Sequence, residues 1–130
     1  NLGAGPYVIN VLSTLPDLSG QVTIDGATGN AATPRVELHA ASPGVATYGL
    51  HVLGGNSTIK NLTISNFGID ASISVEGLGG NTIGGCEIIG GSFGVVVRSD
   101  NNTIKKTDAG SDQAVTLVKI EGSNYRVRLP

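Results

Sequence analysis

The chain of 130 residues has no methionine, no tryptophan, a single cysteine and only 14% charged residues. Long amphipathic helices need many charged residues on their solvent faces, so this composition argues against a helical fold. Because Cys86 is the only cysteine, no internal disulfide can form. No apolar run approaches the ~20 residues that cross a bilayer, so no membrane span is predicted.

Clusters of basic residues are also missing. The chain has 8 lysines and arginines against 10 acidic residues, a formal net charge of -2. Nucleic-acid binding requires grouped cations that neutralise several phosphates, so no nucleic-acid partner is predicted. The chain begins at Asn1 without an initiator methionine, and we therefore expect it to be a processed piece of a longer protein.

Glycine, in contrast, is abundant, with 20 residues that accompany short stretches of alternating apolar residues. The clearest stretch covers residues 48–67 and has the sequence YGLHVLGGNSTIKNLTISNF. In it, the pair Leu50 and Val52 and the pair Leu62 and Ile64 flank a polar turn. The pattern recurs at intervals of about 20 to 24 residues, which is typical of a solenoid.

In a solenoid, residues at the same position of successive repeats form columns with a spacing of about 4.8 Å. Three inward columns are predicted: Leu50, Ile73, Val95 and Val115; Ile24, Ile59, Ile83 and Ile104; and Val36, Leu62 and Cys86. A corner column of asparagines is predicted at Asn56, Asn81, Asn102 and Asn124. Each buried aliphatic side chain contributes about 1.5–3 kcal/mol, and stacked amides hydrogen-bond turn backbone groups.

These columns predict one all-β domain over residues 1–130, a parallel β-helix (a β-solenoid) of about 4–5 rungs, each rung being one turn of the coil. Residues 1–48 are assigned to an irregular first rung with loops, residues 49–112 to the regular rungs, and residues 113–130 to a closing rung. Thr107 and Ala109 occupy the positions of Leu62 and Ile64, so that strand is expected to be frayed.

A family resemblance supports this architecture. The runs LPDLSGQVTIDG from Leu15 and GLHVLGGNSTIKNLTISNFG from Gly49, with the later NTIGG and NNTI runs, resemble bacterial right-handed parallel β-helix repeat proteins. These proteins belong to the pectate-lyase-like superfamily and are often modules of large secreted or cell-surface proteins. The resemblance, from about Tyr7 to Ile104, implies a right-handed coil. It implies less about function, because members include binding, adhesive and spacer modules as well as polysaccharide-cleaving enzymes.

The outward positions on the first strand of each rung are the candidate working surface, since pectinolytic relatives usually carry their chemistry there. These positions are predicted to hold His51, Ser74, Val96 and Thr116 and, two residues further on, Leu53, Glu76, Arg98 and Val118. His51, Glu76 and Arg98 are the candidate ligand-binding residues. Glu76 and Arg98 are expected to form an exposed ion pair between rungs, worth about 0–1 kcal/mol. No catalytic residue is assigned, because acid–base chemistry needs two groups of tuned protonation beside a space for substrate.

Three other patterns of polar residues were candidates for a metal site or an ice-binding surface. No metal or cofactor site is predicted from them. An acidic column contains Glu37, Thr63, Glu87 and Asp108, but Ca²⁺ prefers six to eight oxygen ligands. A threonine column contains Thr23, Thr58, Thr82 and Thr103, beside Asp25, Lys60, Gly84 and Lys105. Ice-binding solenoids generally have two threonine columns, and exposed strand positions favour threonine in any case. His39 and His51 lie on different strands without a third ligand, which argues against zinc.

The sequence therefore predicts a non-catalytic β-helix module with a structural, adhesive or glycan-presenting role. The family resemblance implies that it is secreted or on the cell surface and comes from a bacterium. A carbohydrate-active fragment, a polysaccharide lyase or hydrolase with His51, Glu76 and Arg98 in its cleft, is the first alternative. A self-assembling solenoid is the second, because open ends expose unpaired strand edges; an ice-binding surface ranks last. Expected partners are polysaccharides, other surface proteins, or a second copy or flanking domain at an uncapped end.

Overall fold

The computed structural model of the chain describes residues 7–27, 36–90 and 93–105, and the strand backbone at 108–109, 116–120 and 126–128. These residues form strands and turns and no helix. Among them there is therefore no helix that could span a membrane. The strands are β1 Tyr7–Val11, β2 Thr23–Asp25, β3 Val36–Ala40, β4 Tyr48–Val52, β5 Thr58–Lys60, β6 Leu62–Ser65, β7 Ala71–Val75, β8 Thr82–Gly84, β9 Glu87–Ile89, β10 Phe93–Val97, β11 Thr103–Lys105, β12 Asp108–Ala109, β13 Thr116–Ile120 and β14 Arg126–Arg128.

The strands pair in parallel into three sheets. Sheet A has the order β1-β3-β6-β9-β12, sheet B the order β4-β7-β10-β13, and sheet C the order β2-β5-β8-β11-β14. From β4 onwards the chain visits sheets B, C and A in rotation. In the first passage sheet B is represented by an isolated bridge, Leu18 to Val52. The fold is thus all-β with parallel sheets, as predicted, and the rotation is consistent with a β-solenoid.

The predicted inward columns are stacked in the structure. In sheet C, Ile24, Ile59, Ile83 and Ile104 pair in register from strand to strand. The last three of these are at most 1% exposed, so burial stabilises each by about 1.5–3 kcal/mol. In sheet A, Val36 pairs with Leu62, and the buried Cys86 extends the same column.

The register of β13 differs from the prediction. Val95 pairs with Val118, so Val118 takes the position assigned to Val115, and the position assigned to Thr116 belongs to Lys119. Val115 itself lies outside the described residues. The reason is that Leu117 and Val118 are adjacent apolar residues, so alternation fits either parity and only backbone pairing selects one.

Residues with left-handed backbone form the corners between the sheets. Asn56, Gly80 and Asn101, with φ of 56°, 79° and 62°, follow one another at the first corner. Asn61 and Gly85, and then Asn66 and Gly90, repeat this at the next two corners. Only glycine, and to a lesser extent asparagine, adopts this conformation readily. The many Gly and Asn residues are therefore needed where the chain turns.

Hydrogen bonds from backbone N–H groups to side-chain oxygens connect the rungs beside the first corner. The Ser57 Oγ accepts from the Val22 N–H (3.1 Å), the Asn81 Oδ1 from the Ser57 N–H (2.9 Å), and the Asn102 Oδ1 from the Asn81 N–H (2.9 Å). We call these bonds the corner ladder. Ser57, Asn81 and Asn102 are buried, so the ladder satisfies polar groups that water cannot reach. The prediction was wrong at Asn56, because Ser57 holds that position, and Asn124 lies outside the described residues.

Candidate functional site

The three predicted ligand-binding residues meet at one edge of sheet B. His51 lies on β4, Glu76 directly follows β7, and Arg98 directly follows β10. The His51 Nε2 lies 2.6 Å from the Glu76 Oε2, and the Arg98 Nη1 lies 3.7 Å from the same oxygen. Since β4, β7 and β10 are neighbours in the sheet, residues more than twenty positions apart come into contact. The structure thus brings the three side chains together, and their role in ligand binding stays a prediction.

Two further carboxylates, missed in the sequence, extend this group. The Asp17 Oδ1 lies 2.9 Å from the His51 Nδ1, and the Asp70 Oδ2 lies 3.7 Å from the Arg98 Nη2. Asp17, His51, Glu76, Arg98 and Asp70 thus form a continuous chain of contacts, which we call the ionic row. The bridge between Leu18 and Val52 places Asp17 level with His51. On the Asp17 side this bridge involves only Leu18, outside any strand, so the repeat pattern in the sequence did not predict it.

The ion pair of Glu76 and Arg98 is half-buried, whereas it was expected to be exposed. Their side chains are 29% and 26% exposed, because both lie over Ser74, which is buried. The Ser74 Oγ donates to the Glu76 Oε2 at 2.9 Å and accepts from the Arg98 Nη1 at 3.3 Å. Val96, predicted to be an outward surface residue, is also fully buried, outside the apolar core cluster. Fewer of the predicted outward residues of sheet B are therefore exposed than expected.

The electrostatics of the row keep Glu76 charged. Burial by itself raises the pKa of Glu76, but hydrogen bonds from Ser74 and His51 and the charges of His51 and Arg98 together hold that pKa below its ordinary value. Both nitrogens of His51 face carboxylates, at 2.9 and 2.6 Å, and an imidazolium can donate to both at once. At neutral pH Glu76 is accordingly a carboxylate that accepts hydrogen bonds.

An aromatic ring flanks the row. The ring of Tyr48 stacks on the imidazole of His51, with centroids 4.5 Å apart and planes inclined by 26°. Burial, together with the nearby charges of Glu76 and Asp70, raises the pKa of Tyr48, so its hydroxyl remains a hydrogen-bond donor at neutral pH. The site thus combines a partly exposed aromatic surface with charged donors and acceptors.

A second polar cluster lies on sheet A. The Ser65 Oγ donates to the Glu37 Oε2 at 2.5 Å and lies 2.8 Å from the His39 Nδ1. The three residues line a groove of about 330 Å³, whose wall also contains Asn66 and Ile89. The predicted acidic column is in register, with Glu37, Thr63, Glu87 and Asp108 at matching positions. Within the described residues, no group of three or more His, Cys, Asp or Glu is arranged to hold a metal ion.

The threonine column on sheet C is also in register: Thr23, Thr58, Thr82 and Thr103. Beside it the Lys60 Nζ lies 3.7 Å from the Asp25 Oδ2, which makes an ion pair on the surface. Hydrogen bonds from the Asn61 side chain and the Ala27 N–H lower the pKa of Asp25 against an opposing effect of burial, and Lys60 adds a smaller lowering effect. The column beside the threonines consists of Asp25, Lys60, Gly84 and Lys105, so this face lacks the second threonine column of ice-binding solenoids.

No protein-family model, no curated protein and no solved structure matches the chain.

Proposed function

We propose that the chain is a right-handed parallel β-helix module of about 4–5 rungs, belonging to a secreted or cell-surface protein, that binds polysaccharide without cleaving it. The rotation of the chain through three parallel sheets supports the coil. The resemblance of its repeats to bacterial surface modules supports the location. The ionic row is the proposed binding surface, with Tyr48 as its aromatic part.

The observation that carries this proposal is the continuity of the ionic row across three neighbouring strands. Each charged side chain is held by the next, so the donors and acceptors are ordered before a ligand arrives. Such preorganisation lowers the entropic cost of binding. Glu76, Arg98 and the two aspartates can exchange hydrogen bonds with sugar hydroxyls, while the ring of Tyr48 offers apolar contact area.

The charge of the row indicates the class of polysaccharide. Asp17, Asp70 and Glu76 contribute three carboxylates, against the guanidinium of Arg98 and the imidazole of His51, which leaves the row net negative. An acidic chain such as polygalacturonate would be repelled, since like charges disfavour association. We therefore propose a neutral polysaccharide as the ligand.

The protonation of Glu76 supports a binding role over a catalytic one. Glycoside hydrolysis requires one carboxylic acid with a raised pKa to protonate the leaving group. The pKa of Glu76 is lowered, and its Oε2 is already engaged by His51 and Ser74. A carboxylate in this state accepts hydrogen bonds but does not serve as the acid.

The test is affinity electrophoresis in gels that contain neutral polysaccharides (β-glucan, xylan, galactomannan) or polygalacturonate. Retardation is expected with at least one neutral polymer, and Glu76→Gln is expected to weaken it about tenfold, the loss of one charged hydrogen bond. The matched control is Glu87→Gln on sheet A, which makes the same chemical change away from the row. Absence of retardation by every polymer, or equal effects of the two variants, would contradict the proposal.

A carbohydrate-active fragment is the second candidate, favoured by the short contact between an imidazole and a carboxylate. The His51 Nε2 and the Glu76 Oε2 are 2.6 Å apart, within reach for proton exchange. The same polysaccharides are incubated with the protein, and reducing ends and unsaturated products are followed over time. Turnover that Glu76→Gln abolishes and Glu87→Gln preserves would reverse the order of the two candidates.

A further inference from the structure

The outward face of sheet A carries a hydrogen-bonded group that is separate from the ionic row. Glu37 and His39 lie two residues apart on β3, so both side chains are on the same face of the sheet. His39 pairs with Ser65 of β6, which in turn pairs with Ile89 of β9. All four residues line the groove of about 330 Å³ on this sheet, which we call the sheet A groove.

The hydrogen bonds of Ser65 determine the tautomer of His39. The Ser65 hydroxyl has one hydrogen, which it donates to the Glu37 Oε2 at 2.5 Å. Its 2.8 Å contact with the His39 Nδ1 is therefore a hydrogen bond only if Nδ1 carries the proton and donates it. In the neutral imidazole the other ring nitrogen, Nε2, is then an acceptor.

Three acceptor atoms at the groove have no hydrogen-bond partner within the described part of the chain: the His39 Nε2, the Glu37 Oε1 and the Asn66 Oδ1. The Asn66 amide is oriented by its Nδ2, which donates to the Ala40 carbonyl at 2.8 Å. The side chains of Glu37 and His39 are 31% and 38% exposed, so a ligand can reach both. The groove thus offers mainly acceptors, because the hydrogens of Ser65 and of the His39 Nδ1 are used within the protein.

The charge of sheet A is negative. Its five strands contain Glu37, Glu87 and Asp108 and neither lysine nor arginine. Glu37 and Glu87 both pair with Thr63, from opposite sides, so the two glutamates lie in one column. Their carboxylates give this face a negative potential, which attracts cations and repels anions.

A ligand for such a groove needs hydrogen-bond donors and a positive charge. A primary ammonium group supplies three donors and the charge, and its hydrogen bond to a carboxylate is stronger than one between neutral groups. A carboxylate or phosphate ligand would be repelled and would meet acceptors where it needs donors. Ile89 adds an apolar wall, which suits a ligand with a carbon ring.

The volume of the groove limits the ligand to about one sugar unit. Its 330 Å³ is at the lower end of the ~300–1,000 Å³ range of small-molecule sites. Gly90, at the corner position that Asn66 holds one rung earlier, has no side chain that could fill the groove. An amino sugar combines the required ammonium group with hydroxyl donors and a ring of this size.

We propose that the sheet A groove binds an amino sugar with a free amine. The ammonium group donates to the Glu37 Oε1, the His39 Nε2 and the Asn66 Oδ1 accept from the ammonium group or a hydroxyl, and the ring lies against Ile89. The proposal does not rest on the ionic row, which lies on sheet B, so either proposal can fail without the other.

The first measurement is the tautomer of His39, from long-range proton–nitrogen NMR spectra of the imidazole rings. The chain has 2 histidines, so a spectrum of His51→Gln assigns both. At a pH where the imidazole is neutral, the His39 Nδ1 is expected to be protonated and the Nε2 unprotonated. A neutral ring with its proton on Nε2 would overturn the proposal.

The second measurement is a titration at neutral pH with glucosamine, N-acetylglucosamine and glucose, which differ only in the group at one ring carbon. Glucosamine is expected to shift the His39 ring signals saturably. The other two sugars lack the ammonium group and are expected to bind at least about tenfold more weakly, the loss of one charged hydrogen bond.

Glu37→Gln removes the carboxylate from the groove and is expected to weaken glucosamine binding about tenfold or more. Glu87→Gln is the matched control, since it makes the same change on the same sheet but outside the groove lining. It is expected to alter the affinity by no more than about twofold, because salt screens the more distant charge. Circular dichroism checks that each variant is folded.

Three results of the titrations would each contradict amino-sugar binding in this groove. They are the absence of a saturable shift with glucosamine, equal affinities for the three sugars, and equal losses of affinity in Glu37→Gln and Glu87→Gln.

Discussion

Replacing Asn81 with alanine tests whether the corner ladder connects the rungs. The side chain of Asn81 accepts the Ser57 N–H (2.9 Å) and donates to the Leu78 carbonyl (3.1 Å) and to the Asn102 Oδ1 (3.0 Å). All three bonds are lost in Asn81→Ala. Ser57 is 1% exposed, so its N–H is left in the interior without an acceptor.

The loss of unfolding free energy depends on whether each former partner of the Asn81 side chain finds another hydrogen-bond partner. An orphaned buried N–H costs about 1–3 kcal/mol. The Leu78 carbonyl belongs to an exposed residue and can bind water, and the Asn102 Oδ1 still accepts the Asn81 N–H, so these two losses add about 1 kcal/mol. Asn81→Ala is therefore expected to lower the free energy of unfolding by about 2–4 kcal/mol, out of the roughly 5–15 kcal/mol typical of a domain.

Urea unfolding followed by far-ultraviolet circular dichroism measures this change, provided that the m-value is the same in both proteins. The control is Asn56→Gly in the same corner. Asn56 is exposed and has φ of 56°, which glycine adopts without strain, so this variant is expected to stay within about 0.5 kcal/mol of the unmodified chain. Equal losses in the two variants would refute the ladder as a source of stability.

Four further predictions concern stability and reactivity. Ile83→Ala is expected to cost about 2–5 kcal/mol and Ile83→Val about 0.5–1.5 kcal/mol in urea unfolding; equal costs would mean that the column is loosely packed. The buried Ser72 Oγ has no hydrogen-bond partner among the described residues, so Ser72→Ala should raise the free energy of unfolding by about 1–3 kcal/mol, and a loss would reveal a partner. Burial raises the pKa of the Cys86 thiol, so a thiol reagent should modify it only after unfolding in urea; rapid native labelling would contradict its burial. Because the pKa of Glu76 is below its ordinary 4.5, the contacts of its charged form stabilise the fold above about pH 4.5 and are lost as the pH falls through the folded pKa; the stability difference from Glu76→Gln should therefore shrink in acid, and a constant difference would be inconsistent.

The sheet C columns were predictable because the same local pattern recurs in each rung. Ile59, Ile83 and Ile104 each follow a threonine and precede a corner, so aligning the repeats aligned the residues. The register of β13 was not predictable, since the adjacent apolar residues Leu117 and Val118 fit either alternation.

The candidate site was predictable only in part. His51, Glu76 and Arg98 occupy equivalent or nearly equivalent repeat positions, and their convergence followed from the stacking. Asp17 and Asp70 have no repeat equivalents that mark them as partners. Asp17 is 34 residues from His51 and is aligned by a single backbone bridge.

The spacing of apolar residues by itself determined that this chain would be all-β and would stack side chains some twenty positions apart, because a thin repeat can bury its apolar residues only against its neighbours. Only the tertiary structure decided which polar groups lie in contact with one another. Whether Glu76 is charged and whether Ser74 and Val96 are buried depend on distances of a few ångströms between separate rungs, and a repeat pattern does not contain distances of that kind.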